Sequence, residues 1–228
     1  MLKRRTIYSE IAYLAGILLL AMGNSLSAYG DLGMSMVVAP AYVLYLALVG
    51  IFPWFSFGVA EYTVQAMVII ALIVMTRRVK ARFFLSYGTT LIYGVFLDVF
   101  VGVVALLPSL LGLRIGAYVL GFLLSSCGVA ILFTTYFPPG LYEVLVQEIV
   151  ARWHLRLGVV KTVYDIGSLL VAVAMSLLLF GTLRGIGIGT VVCAFLNGTF
   201  IHLFGKLYTR LFAVKDALPW RGFFEGKK

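Results

Sequence analysis

Charge is scarce in this chain. Asp, Glu, Lys and Arg make up 12% of its 228 residues, and only nine of them are acidic. A water-soluble domain carries about 25%, so an ordinary soluble fold is excluded. Cysteine is nearly absent too. Cys127 and Cys193 fall in separate apolar runs, which argues for buried free thiols and against a disulfide framework. The two histidines, His154 and His202, stand far apart without ligand-spaced partners, so no metal centre is expected. Alternating polar and apolar residues are missing as well. The apolar runs are continuous, which argues against a transmembrane barrel.

What is present is hydrophobic: 62% of the residues, with 24 glycines and 13 tyrosines. The expected class is an all-α polytopic membrane protein whose first partner is the lipid bilayer. The net charge of +9 comes from short basic runs between apolar segments. That arrangement follows the positive-inside rule, with phosphate headgroups as the anionic neighbours, and no nucleic-acid partner is expected.

Along the chain, Met1–Arg5 (MLKRR) precedes an apolar stretch, Ile7–Ala28, of the length a bilayer needs. No small-residue cleavage site leads into a soluble domain, so this reads as a first span rather than a signal peptide. Tyr29–Ser35 (YGDLGMS) is a glycine-punctuated turn, with Ser35 placed to cap the next helix. Met36–Val49 is apolar but short and contains Pro40; Ile51–Phe57 is an aromatic connection suited to an interface. Gly58–Thr76 and Phe83–Leu107 read as spans, separated by the basic run Arg77–Arg82.

The pattern then starts again. Ala12–Gly16 (AYLAG) matches Ala117–Gly121 (AYVLG), and Gly23 matches Gly128, at one offset of 105. Further matches join Phe57–Val59 to Leu157–Val159, Gly88-Thr89 to Gly189-Thr190, and Tyr93-Gly94 to Asn197-Gly198. These predict an internal repeat, with units at 1–107 and 108–212 and an interfacial, cytoplasmic tail at 213–228 carrying Trp220, Phe223 and Phe224. Each half reads long span, short helix, span, span, the short helices being Met36–Val49 and Leu141–Ala151. If neither short helix crosses, Arg77, Arg78, Lys80 and Arg82 join Lys3–Arg5, Arg152, Arg156 and the basic C-terminus on one side, with mainly Arg114 and Arg184 on the other. The positive-inside rule favours that arrangement. Six spans plus two half-helices in two inverted repeats is the expected fold; the alternative is eight crossing helices in a parallel repeat.

Asp31-Leu32-Gly33 after the first span, with Gly185–Thr190 (GIGIGT) and Asn197-Gly198 in the last, resemble the YczE/YyaS/YitT-type bacterial membrane proteins. The resemblance runs along most of the chain on short glycine motifs. It implies a polytopic inner-membrane protein and adds little about activity.

The polar residues within apolar surroundings are the best lead to function, because ionisable groups are expensive in the membrane and persist when paired or facing a wet cavity. Pro138–Asp165 concentrates them. Glu61/Gln65, Glu143/Gln147 and Lys161/Asp165 are each spaced i, i+4 and so share a helix face. Under the repeat, Glu61 corresponds to Lys161, Gln65 to Asp165, and Asp98 to His202. A polar midplane site would use Glu61, Gln65, Glu143, Gln147, Lys161, Asp165 and Ser35 for a solute, and Asp98 and His202 for a coupling ion. The plain alternative is a set of buried ion pairs locking the halves together, Glu61 against Lys161 first among them. Glycine-led helix starts at Gly33–Ser35 and Pro138–Gly140 would aim helix N-termini inward, as anion-binding half-helices do; the alternative is loop punctuation.

No enzyme is expected. Gln147–Arg152 resembles the glutamate–arginine spacing of one intramembrane protease class, but one glutamate is missing and no paired-histidine motif is present. Gly185–Gly189 has no preceding strand and is not a nucleotide loop. No cofactor is implied. The leading expectation is a transporter-like protein of the bacterial inner membrane, with both termini cytoplasmic, moving a small polar or anionic solute through a site between the repeats. Its rivals are a substrate-binding membrane subunit needing an energising partner, and a non-transporting scaffold or regulatory protein. A homo-oligomer is compatible with each.

Overall fold

The computed structural model describes residues 5–217. Lys3, Arg4 and the tail aromatics Trp220, Phe223 and Phe224 therefore lie outside the described residues. Within them the order is β1 (Arg5–Tyr8), α1 (Ser9–Gly30), α2 (Ala39–Leu48), α3 (Phe57–Thr76), α4 (Ala81–Val104), α5 (Leu111–Leu132), α6 (Leu141–Trp153), α7 (Leu157–Phe180), α8 (Ile188–Leu211) and β2 (Phe212–Lys215). Six helices, α1, α3, α4, α5, α7 and α8, are long and apolar enough to cross a membrane. The 10 residues of α2 and 13 of α6 reach only about 15 and 20 Å, against an apolar layer of about 30 Å. The protein has six spans and two half-helices, and the eight-crossing alternative falls on length.

Long, short, long, long occurs twice, and the seam between the two halves is α1 against α5. The helices run antiparallel, and glycines bring their backbones together. A Cβ on Gly23 would lie 2.6 Å from the Gly121 carbonyl oxygen, and one on Gly121 equally 2.6 Å from that of Gly23. Gly16 and Gly128 meet in the same reciprocal way, at 3.1 and 2.7 Å. Gly16 and Gly121 are repeat equivalents, as are Gly23 and Gly128. Each glycine thus touches the counterpart of the other, which is the contact pattern of a two-fold axis. The same exchange relates α1–α4 packing to α5–α8, and α2–α7 to α6–α3. Two pairs break it: α3 packs along α4 and α6 reaches α4, whereas α7 and α8, and likewise α2 and α8, barely touch or do not meet.

Contacts sort the loops onto two faces. On the terminal face β1 pairs parallel with β2, the Tyr136 amide donates to Ser9 Oγ (3.3 Å), and Lys80 meets Glu148 (2.6 Å). At the opposite face Tyr29 donates to the Pro108 carbonyl (2.6 Å) and Arg114 pairs with Asp31 (2.7 Å). The two glycine motifs interlock near there. The Met34 amide donates to the Gly185 carbonyl (3.0 Å) and the Gly189 amide to that of Leu32 (2.8 Å). Gly33 holds φ +107°, and a Cβ there would strike the Gly187 amide, so this crossing requires glycine.

Local details differ from the sequence reading. Ile7 and Tyr8 belong to β1 rather than the first span, because Thr6-Ile7-Tyr8 finds an edge to pair with at Ala213–Lys215. Those residues of the tail are accordingly in a strand. Helix α2 starts at Ala39, set by Pro40 in its first turn, and no side chain caps it. Ser35 contributes its carbonyl instead, accepting from the amides of Val38 and Ala39 (3.1 and 2.9 Å).

Candidate functional site

Helix α6 is re-entrant. Its C-terminal half reaches the terminal face, where Glu148 meets Lys80 and Gln147 accepts from Arg82. Its first residue lies inside the bundle, where the Leu141 amide donates to Gln65 Oε1 (3.3 Å). Pro138 and Pro139 account for the start, since the chain cannot enter a helix through two consecutive prolines without an extended stretch before it. Gly140 then provides the N-cap.

Between α6 and the spans lies a cavity of about 140 Å³ lined from both halves. Its polar wall includes Asn24, Glu61, Gln65, Tyr93, Glu143 and Lys161, and Ser35 reaches it from the loop before α2. Glu61 is the centre of the wall. It is fully buried, and its Oε2 accepts from Gln65 Nε2 and from the Tyr142 hydroxyl, both at 3.0 Å. Its Oε1 has no hydrogen-bond partner among the described residues. Gln65 is the hub behind it: Oε1 accepts from Thr90 Oγ1 and from the Leu141 amide, so one side chain ties α3 to α4 and α6. Asn24 donates to the Tyr93 hydroxyl (2.7 Å) at the same wall.

The predicted residues divide into three groups. Glu61, Gln65, Glu143, Lys161 and Ser35 line the cavity. Asp165 stands behind Lys161, its Oδ1 3.1 Å from the ammonium. Gln147, Asp98 and His202 are elsewhere. Gln147 faces a separate vestibule. Asp98 accepts from Ser56 Oγ (2.6 Å) and the Gly58 amide (2.7 Å), closing the N-terminus of α3. His202 is exposed on α8, because α8 stands away from α7 and the contact its counterpart makes has no equivalent.

The expected Glu61–Lys161 ion pair is not formed. Each residue is the fifth of its helix, about 6 Å from the helix start, but α3 and α7 start at opposite faces. The two charges therefore approach one cavity from different depths, and Lys161 takes its partner from its own helix. It also lies over the Tyr164 ring (5.8 Å). The re-entrant N-terminus is likewise occupied. Gln65 takes the Leu141 amide, and the Glu143 carboxylate folds back onto its own amide. An open cradle of helix N–H groups for an anion is not what α6 presents.

The sequence reading missed Asn24, Tyr93, Thr90 and Tyr142. Asn24, with Ser25 and Ser27 just after it, is a polar cluster in an otherwise apolar helix, which was the available signal. Tyrosines are too numerous to single out. On the terminal face a vestibule of about 270 Å³, lined by Arg82, Tyr136 and Gln147 among others, shares Leu132, Phe133 and Pro139 with the central cavity. Those three side chains form the wall between them. Among the described residues no three His, Cys, Asp or Glu side chains gather as a metal site.

A model of DUF6198, a family of unknown function, matches residues 7–206. The match does not extend to YczE-, YyaS- or YitT-type proteins by name. No curated protein and no solved structure was found to match the chain.

Proposed function

The chain belongs to DUF6198, a family of unknown function, and for this member we propose a transporter of a small polar solute in the bacterial inner membrane, with its site in the cavity between the repeats. One observation carries the reading: a cavity between the halves is lined by Glu61 of α3, fully withdrawn from solvent, beside the tip of the re-entrant helix. A scaffold gains nothing from such a group, since a buried carboxylate is costly and an apolar side chain would pack as well. Half-helices ending at mid-depth between inverted repeats are the arrangement by which secondary transporters expose one site to either side in turn. The vestibule supports a route from the terminal face, which the positive-inside pattern makes cytoplasmic.

Accessibility tests this without knowing the solute. In a chain with Cys127 and Cys193 replaced by serine, Ser35→Cys and Ser125→Cys should react with a membrane-impermeant thiol reagent applied to either face of oriented vesicles. Labelling from one face alone fits a binding subunit, and protection from both fits a closed scaffold. Either result overturns the transporter reading.

A further inference from the structure

The charge around the cavity is not balanced. Lys161 and Asp165 neutralise each other at 3.1 Å. Glu143 turns onto the amide of its own helix, and the first amide of α6 is taken by Gln65. What remains at the wall is the Glu61 carboxylate, with Oε2 held by two protein donors and Oε1, itself covered from solvent, by none. Lys80 and Arg82, the basic residues from α4 and the loop before it, are engaged with Glu148 and Gln147 at the terminal end of α6. The other groups around the carboxylate are the neutral Tyr93 from α4, Tyr142 from α6 and Asn24 from α1, with the Glu143 carboxylate of α6 near enough to act on Glu61 through its charge.

We propose that the solute carries a protonated amino group, and that Glu61 Oε1 is the acceptor that receives it. The proposal rests on the transporter reading and narrows it to a small organic ammonium. A buried carboxylate oxygen without a donor discriminates strongly for an N–H cation, because an anion would meet like charge and a neutral apolar group would leave the oxygen unmet. Three donors already point at this corner from protein (Gln65, and Tyr142 to Oε2; Asn24 to Tyr93), so the corner is built and rigid before the solute arrives. The Tyr93 and Tyr142 rings add aromatic surface of the kind that accommodates alkylammonium groups. A cavity of about 140 Å³ is of the size class that takes a small organic molecule, an apolar cavity of about 150 Å³ being able to bind benzene.

Three probes of one chain length separate charge from size: propylammonium chloride, sodium propionate and propionamide, at constant ionic strength and neutral pH. Added to the purified full-length protein in detergent, propylammonium should raise the unfolding temperature in a saturable way, and the other two should not. Glu61→Gln should weaken the amine's apparent affinity at least tenfold, while Asp31→Asn at the far surface should leave it within twofold. Should Glu61→Gln fail to fold, the native protein still answers. Propylammonium should protect Glu61 from a hydrophobic carbodiimide, read as loss of the adduct on the Glu61 peptide. Equal stabilisation by propionate, amine binding that survives Glu61→Gln, or an effect of pH on Glu61 modification with none of amine, each overturns the ammonium assignment. Binding of propionamide instead would do so while leaving a polar-solute transporter intact, and the cysteine labelling decides that reading separately.

Discussion

Gln65 carries more of the site than its neutrality suggests. Its two amide atoms meet a threonine of α4, the first amide of α6 and the carboxylate of Glu61. Glu61 and Gln65 share a face by their i, i+4 spacing, and that much was readable from the sequence; the partners across α4 and α6 were not, being 25 and 76 residues away. Gln65→Leu would leave the Leu141 amide without a partner in a buried place, and would take from Thr90 and from Glu61 Oε2 one of the two partners each has. An orphaned buried amide costs about 1–3 kcal/mol and the two lost hydrogen bonds add to it, so we expect a loss of about 2 kcal/mol or more after relaxation, measured as a lowered unfolding temperature in detergent. A shift no larger than that of a surface substitution would mean the hub is not formed.

At the scale of the element, α6 is held by both ends. Its inner end has Gln65 and Tyr142; its outer end has Lys80 on Glu148 at 2.6 Å, with Glu148 12% exposed and Lys80 41%. Half-exposed ion pairs are worth less than buried ones, about 1 kcal/mol after solvent screening. The pair is nonetheless the clasp between the α3–α4 loop and the re-entrant helix. Lys80→Met should therefore cost little global stability and yet raise amide hydrogen exchange across 141–153 several-fold, with Glu148→Gln giving the same result and the double variant adding nothing. Exchange unchanged in all three would place the anchor of α6 wholly at its inner end. Opposing basic and acidic residues were visible in the sequence, but the contact was not, since 68 residues separate them.

The whole molecule turns on the α1–α5 seam. Reciprocal contacts of Gly23 with Gly121 and of Gly16 with Gly128 leave no room for a side chain. Gly23→Val would drive a branched side chain into the Gly121 carbonyl and the Ser125 backbone, neither of which can rotate away. Overpacking of this kind costs about 1–3 kcal/mol and sometimes more; here the two halves must separate, so we expect loss of folded yield. Gly102→Ala is the control, as nothing lies within 4 Å of a Cβ there, and its yield should match the native protein. Equal yields for both substitutions would refute close packing at the seam.

Hydrophobic run lengths, basic loops and a fourfold set of matches at drifting offsets were enough to determine the membrane class, six spans, two half-helices and the doubled order of elements. These are properties a chain carries locally, because bilayer thickness and helix rise set them residue by residue. The glycines at 16, 23, 121 and 128 were visible as repeat matches, but that they form the seam was not. What only the tertiary structure decided was which charges meet. Glu61 and Lys161 are equivalent under the repeat, but inversion sends their helices in from opposite faces and separates in depth what the alignment places together. Asp98 turned to the N-terminus of α3 because α3 and α4 pack closely, while His202 stayed outside because α7 and α8 do not. Long-range packing chose the partners, and no spacing along the chain records it.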